Sequence, residues 1–228
     1  MMQGGIKLGK IIAVVSGKGG TGKTSFTANV GLALAALGCH TLCLDCDITL
    51  RNLDLALGLS DRALMDFTDV IAGRCTLEDA VVQHPKYPKL HLLTAPLSAR
   101  PVPIAPEQMK ALLDRIRQTY DYCLIDAPAG LGMGFHLASD YADRAVVVTN
   151  TDASSLRDAQ RTVMELDRLG RGNLHLVVGR VTAPLEELRA EDLGQHGGVG
   201  VGGGLHVHQM LDGLRIRHHI AQALSLIH

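Results

Sequence analysis

The stretch Ser16-Gly-Lys-Gly-Gly-Thr-Gly-Lys-Thr-Ser25 decides the reading of this chain. It follows the apolar run Ile11 to Val15 and precedes the Ala- and Leu-rich run Phe26 to Leu37, an order that predicts strand, glycine loop and helix. Glycine reaches positive φ at little cost, so Gly17, Gly19, Gly20 and Gly22 suit a loop whose backbone N–H groups turn inward on a phosphate. Lys23 then faces the β- and γ-phosphates of a triphosphate. Thr24, in the first helical turn, can offer its hydroxyl to Mg²⁺ while the helix N-terminus adds its own positive field. Gly17, Gly22, Lys23 and Thr24 satisfy Gly-x-x-x-x-Gly-Lys-Thr, and Thr21 and Ser25 complete the candidate nucleotide-binding set.

Further along, Thr41 to Leu44 reads as a short buried strand that delivers Asp45-Cys-Asp47 to a sheet edge, where doubly wound folds keep their ligands. Two carboxylates then face the phosphate site. An Asp just past a strand end is also an ordinary cap, so both readings stand for Asp47. Residues Ala63 to Ala72 and Thr76 to His84 are expected as two short helices, and Leu90 to Ala95 as a strand among six prolines. Pro106 fits a first helical position, with Met109, Leu112, Leu113 and Ile116 at helical spacing behind it. Tyr122-Cys-Leu-Ile-Asp126 is a Walker B pattern, an apolar strand ended by an aspartate that holds Mg²⁺ through water. Ala145 to Thr149 and Leu174 to Gly179 complete the strands, and Thr151 to Ser155 cap a helix that exposes Arg157 and Asp158. This alternation predicts an α/β P-loop NTPase, a mostly parallel central sheet flanked by helices in three α/β/α layers.

The chain has 228 residues, a hydrophobic content of 46% and a net charge of −1, enough for one sizeable core and without the basic field that nucleic acid attracts. The five cysteines are odd in number and no secretory leader is read, which predicts a reducing cytoplasm. Cys43-Leu-Asp-Cys46 lies at the end of a strand rather than at a helix N-terminus and is read as structural. No apolar run approaches the roughly 20 residues of a membrane span, so membrane contact is expected to be peripheral.

A second lysine in the loop, Lys18, gives the form Lys-Gly-Gly-x-Gly-Lys-Thr, which resembles the deviant Walker A loop of the MinD/ParA family of ATPases. The segment Asp47-Ile-Thr-Leu-Arg-Asn-Leu-Asp54 resembles the Asp-x-Gly-Leu-Arg-Asn-Leu-Asp signature of the MinD branch, with Thr49 in place of the glycine. Gly130-Leu-Gly-Met-Gly134 is similar to the family's second switch, and Thr149 to Asp158 is similar to its helix near the dimer seam. The resemblance covers about Lys10 to Arg180. It implies an ATP- and Mg²⁺-dependent hydrolase acting as a dimeric switch in division-site selection. Lys18, Lys23 and Asp47 would be catalytic, Thr24, Asp47 and Asp126 would serve the metal, and Arg180 would join the nucleotide site. Arg51, Asn52, Gly130, Ser154 and Asp158 would serve switch and dimer contacts, although an N-cap and a solvated ion pair account equally for Ser154 and Asp158. Gly179 departs from the family's usual Asn or Thr near the adenine. The implied partners are a second copy of the chain, a division inhibitor like MinC, an activator like MinE or DivIVA, and the inner face of the cell membrane. A flagellar-number or chromosome-partition ATPase, and a degenerate nucleotide-binding module without turnover, are the alternatives.

The ATPase domain is placed at residues 1–192. Beyond it six of the eleven histidines fall between His196 and His228, and Gly197 to Gly204 holds six glycines. This Gly- and His-rich tail is expected to carry no sheet strand and no metal site, and to reflect an altered or truncated reading frame. With Arg215 and Arg217 as the only cations in its last stretch, it gives a marginal membrane anchor at most.

Overall fold

The computed structural model describes residues 8–60, 62–97, 103–179 and the strand 206–209. From Lys10 the chain runs β1 (Lys10–Val15), α1 (Lys23–Ala36), β2 (Thr41–Asp45), α2 (Leu53–Ala56), α3 (Phe67–Ile71), α4 (Leu77–Ala80), β3 (Val82–Gln83), β4 (Leu90–Leu93), α5 (Pro106–Thr119), β5 (Tyr122–Asp126), α6 (Met133–Ser139), β6 (Arg144–Asn150), α7 (Ala153–Arg168), β7 (Leu174–Gly179) and β8 (His206–Gln209). The sheet order is β3-β4-β2-β5-β1-β6-β7-β8. Every pairing is parallel except β3 with β4. This is the expected three-layer α/β/α architecture, and its parallel crossovers leave the C-terminal strand ends on one edge.

Strand side chains alternate between two cores, which is why the strands read as unbroken apolar runs. Ile11, Ala13 and Val15 pack with α5, α6 and α7 residues such as Leu113, Phe135 and Leu166. Ile12 and Val14 pack with Phe26, Val30 and Leu34 of α1 on the other face. Helix α5 starts on Pro106 and buries Met109, Leu112, Leu113 and Ile116, as its spacing predicts. Strand β1 lies between β5 and β6, so the loop after it opens at the middle of the edge.

Three segments differ from the expectation. The helix expected over Ala63 to Ala72 shortens to α3, because the Asp66 carboxylate accepts the Thr68 and Asp69 N–H groups and sets the helix start at Phe67. The one expected over Thr76 to His84 stops at Ala80; Val81 turns extended and Val82–Gln83 becomes an antiparallel edge strand on β4. The third difference is β8. From the sequence the sheet ends at β7, yet His206–Gln209 pairs parallel with His175 to Val178. His206-Val-His-Gln209 is four residues long, too short a segment for periodicity to mark beside so many glycines. The boundary at residue 192 lies outside the described residues, as do Arg215 and Arg217.

Helix α1 approaches the sheet closely at one point. A β-carbon on Gly31 would stand 2.4 Å from the Cys43 sulfur and 3.4 Å from Leu90 Cδ1. Gly31→Ala is therefore expected to destabilise the fold by about 1–3 kcal/mol despite alanine's better helix propensity. In urea unfolding, adding Cys43→Ala should recover part of the loss; an unchanged midpoint in the single variant would contradict this packing.

Candidate functional site

The loop between β1 and α1 is closed on itself by polar contacts. Gly20 (φ +75) and Gly22 (φ +96) occupy backbone conformations that favour glycine, and Gly22 is the N-cap of α1 without any side-chain cap. The first N–H groups of a helix have no partner within it, and with no acidic side chain in the first turn they remain suited to an anion. Gly17 is glycine for a different reason: a β-carbon there would lie 2.5 Å from the backbone oxygen of Asp158 on α7. Gly19 and Ser25 are exposed. The Ser16 hydroxyl donates to the Lys18 carbonyl at 2.6 Å, and Lys23 Nζ donates to the Ser16 Oγ at 2.9 Å. Lys23 is buried, and burial lowers its pKa while the nearby Asp126 and Asp47 carboxylates oppose that shift. The Thr21 hydroxyl is buried with no partner.

Two carboxylates end adjacent strands, with Asp45 in register beside Asp126. Thr24 Oγ1 donates to Asp126 Oδ2 at 2.6 Å, and Asp126 Oδ1 is buried with no hydrogen-bond partner. Burial pushes Asp126 up to about 6 and Asp45 up to about 7. An orphaned carboxylate oxygen beside a threonine hydroxyl, close to a lysine, is a hard-oxygen donor set that fits Mg²⁺. Asp45 plays another part. Its Oδ1 accepts the Asp47 N–H at 2.9 Å and its Oδ2 accepts the Leu53 N–H at 3.1 Å, so it ties both ends of the intervening loop to the strand edge.

Within that loop Asp47 Oδ1 accepts from the Thr49 N–H at 3.0 Å, the Thr49 hydroxyl at 2.5 Å and the Leu50 N–H at 3.1 Å. One oxygen of Asp47 thus acts as a cap for its own turn, and Thr49 adds a tether that a glycine would lack. Arg51 has φ +42, and its guanidinium bonds Asp54 at 3.2 Å with both side chains nearly buried. Asn52 precedes α2 as its N-cap without a side-chain bond.

Lys18 points to α7. Its Nζ donates to Ser154 Oγ at 2.8 Å and lies 3.5 Å from Asp152 Oδ1, each side chain of that ion pair about half exposed at 46% and 51%. Asp152 is the N-cap of α7, accepting from the Ser155 N–H and from both serine hydroxyls, and these bonds hold its carboxyl well below the usual range. Asp158 faces Arg161 at 3.9 Å and backs the loop at Gly17. Gly130 (φ +89) donates its N–H to the Ser16 carbonyl at 3.0 Å, so this amide is committed to the loop and is not a free sensor of a ligand. The edge therefore gathers Gly17 to Ser25, Asp45, Asp47, Asp126, Gly130 and Ser154; Arg180 lies outside the described residues. Sequence reading overlooked Ser16 and Asp152. Asp152 was accessible through its spacing to Ser154 and Ser155, whereas Ser16 has no signal apart from its contact with Lys23.

A family model described as an AAA domain matches residues 9–175. The putative septum site-determining protein MinD of Guillardia theta is 41% identical over 186 residues, 82% of this chain and 68% of that protein. The septum site-determining protein MinD of Bacillus subtilis is 41% identical over 162 residues, 71% of this chain and 60% of that protein. Among solved structures, a chain of the MinC:MinD cell division protein complex of Aquifex aeolicus is similar with a TM-score of 0.74 and 37% identity, over 86% of this chain and 79% of that one. The MinD of Pyrococcus horikoshii complexed with Mg-ADP is similar with a TM-score of 0.74 and 28% identity, over 96% of this chain and 89% of that one.

The buried carboxylates set a pH dependence for the nucleotide-free, metal-free protein. Asp45 and Asp126 have folded values of about 7 and about 6, above their ordinary 3.8, so between pH ~4 and ~7 the folded state binds more protons than the unfolded state. Their contribution to stability is present at the acid end and is lost as pH rises through that window. His84 and His91, both held low chiefly by burial, run the other way below pH ~6.5. Asp45→Asn should isolate the first effect: thermal melts from pH 5 to 7.5 should show a smaller loss of stability with rising pH than wild type. A difference between the two proteins that does not change with pH would mean Asp45 titrates normally.

Proposed function

This chain belongs to the family of septum site-determining MinD proteins, ATPases of division-site selection, and we propose that it acts as an ATP-driven dimeric switch. The observation that carries the proposal is the cluster at the centre of the edge: a glycine loop with buried Lys23, and the Thr24–Asp126 pair with its orphaned oxygen. In this reading Gly17 to Ser25 hold the triphosphate by backbone N–H groups, and Lys23 exchanges the Ser16 hydroxyl for phosphate oxygens. Thr24 and Asp126 hold Mg²⁺, Asp47 assists through water, and the ion supplies charge neutralisation at the β- and γ-phosphates. Asp47 keeps one oxygen on its own turn and orients the attacking water with the other. Arg180, outside the described residues, would join the nucleotide site by the family resemblance.

Lys18 is the residue that makes the site deviant, and its surroundings favour exchange. An exposed ion pair contributes little to stability, so Lys18 can leave Ser154 and Asp152 for the γ-phosphate of a second protomer. Chemistry of this kind is positioning and electrostatics, and a cation supplied in trans is worth about 10³ to 10⁵ in rate. Arg51, Asn52, Gly130, Ser154 and Asp158 then border the dimer seam. The partners are a MinC-like division inhibitor, an activator like MinE or DivIVA, and a membrane surface reached peripherally from the cytoplasm; no helix among the described residues is long and apolar enough to cross a bilayer. A net charge of −1 argues against nucleic acid as the partner.

Lys23→Ala should lose ATP binding by about 100-fold or more, because the buried phosphate charge loses its point-charge partner; equilibrium titration with labelled ATP measures it, and equal affinity would overturn the phosphate site. Lys18→Ala should bind ATP as a monomer yet fail to dimerise, with hydrolysis down about 10³-fold or more. Light scattering with a slowly hydrolysed analogue separates the two effects, and a Lys18→Ala protein that dimerises and turns over normally would remove the trans role. Asp47→Ala should retain ATP and accumulate as dimer while turnover falls, since a water-orienting carboxylate acts in the transition state.

A further inference from the structure

Away from the nucleotide site, the turn from β3 to β4 is built on one imidazole. His84 is buried, and its Nδ1 accepts the backbone N–H groups of Lys86 at 3.1 Å and Tyr87 at 3.2 Å. A ring nitrogen that accepts two N–H groups carries no proton, so His84 is neutral with its proton on Nε2. The ring also hydrogen-bonds the backbone of Leu57, the C-cap of α2, in the sense that favours its proton, as donation to a carbonyl does. The turn closes through the His84 N–H on the Leu90 carbonyl at 2.9 Å and the Leu90 N–H on the Tyr87 carbonyl at 2.8 Å. One side chain thus shapes the hairpin turn and joins it to the end of α2.

Helix α2 follows the loop that carries Asp47, and this segment is held at Leu53 by Asp45 and at Leu57 by His84. A proton on Nδ1 would set an N–H against the two N–H groups that this nitrogen now accepts. The charged groups that act on His84 give an imidazolium no relief. Lys86 on its own turn and Arg62 beyond α2 are both cations, and with burial they hold the ring below the ordinary histidine range, against the pull of the Leu57 bond. The Tyr87 ring lies 5.2 Å from it. The other histidine of the hairpin, His91 on β4, has different neighbours: His40 at 5.0 Å and Tyr120 at 5.5 Å between ring centres, with the Lys89 charge nearby.

We propose that His84 is an acid-released clasp between the β3–β4 turn and α2. When Nδ1 takes a proton, the ring keeps its bond to Leu57 and expels the Lys86 and Tyr87 N–H groups. Strand β3 is two residues long, stands at the edge of the sheet and pairs with β4 alone, so it loses the turn that positions it. The clasp holds above pH ~6.5 and is lost as pH falls below that value and through the folded one. Acid thereby uncouples the sheet edge from the segment that carries Asp47, with no nucleotide required.

The test is amide exchange of the full chain, followed by NMR at pH 7.5 and pH 5 and corrected for the chemical exchange rate at each pH. In wild type the Lys86 and Tyr87 amides should lose protection by ~10-fold or more at pH 5, the scale of one or two hydrogen bonds. Leu57, and Val14 at the centre of the sheet, should keep theirs. His84→Asn supplies an uncharged oxygen that can accept the same two N–H groups in an Asx-turn, so its turn should be equally protected at both pH values. His91→Phe removes the other titrating ring of the hairpin and should behave as wild type. In wild type alone, the ring-nitrogen spectrum should show Nδ1 of His84 gaining its proton over the pH range in which the two amides open. A pH dependence that survives in His84→Asn, or one that vanishes in His91→Phe, overturns the clasp. So does a His84 ring that titrates while the turn stays protected, or a loss of protection at Leu57 and Val14 as large as that in the turn.

Discussion

The hydrogen bond from Thr24 to Asp126 joins two parts of the chain that are 102 residues apart, and the rest of the site depends on it. It requires β5 to insert beside β1 in the register that sets Val14 opposite Asp126, so that the end of one strand meets the first turn of the helix that follows the other. The same insertion sets Asp45 beside Asp126. Three elements thus converge because two parallel pairings share one central strand. A shift of one residue in either pairing turns the carboxylate into the opposite core.

This convergence is electrostatically unfavourable while the site holds no ligand. Asp45 and Asp126 are buried side by side, and burial raises both above the ordinary carboxylate range. Lys23 is a buried cation whose charge acts on Asp126, and burial works against that charge as well. Asp45 is relieved by two N–H bonds and in return anchors both ends of the loop that carries Asp47. Asp126 keeps an oxygen with no partner. A phosphate-bound cation would relieve that oxygen, so stability given up locally becomes affinity for a charged ligand.

Around this rigid centre the remaining groups are held weakly. Lys18 sits in an exposed contact with Ser154 and Asp152, and Leu50, on the loop after β2, and Met133, at the start of α6, are largely exposed. Arg51, by contrast, is secured to Asp54 at positive φ, which gives the first of these loops a fixed base. Buried carboxylates thus form the centre of the site, and the Lys18 ion pair lies at its exposed rim.

The sequence by itself determined the strand–loop–helix unit, because glycine spacing, a terminal lysine and flanking periodicity are local properties that do not depend on the rest of the chain. It also determined the alternating α/β order and the strand-end aspartates, since buried parallel strands need continuous apolar runs. Short-range competition was harder to see: the edge strand Val82–Gln83 replaced a helical continuation only because β4 offered it a partner. Tertiary structure alone decided what each polar group does. Asp47 spends one oxygen on Thr49 and Leu50, Asp45 straps the loop, and Ser16 holds Lys23. It also set the buried, unpartnered Oδ1 of Asn150 in register beside Gly179, two residues 29 positions apart that meet only as neighbours across a parallel pair. Periodicity records which face of a strand is buried; it carries no record of which residue will stand opposite, and hydrogen bonding is settled by that neighbour.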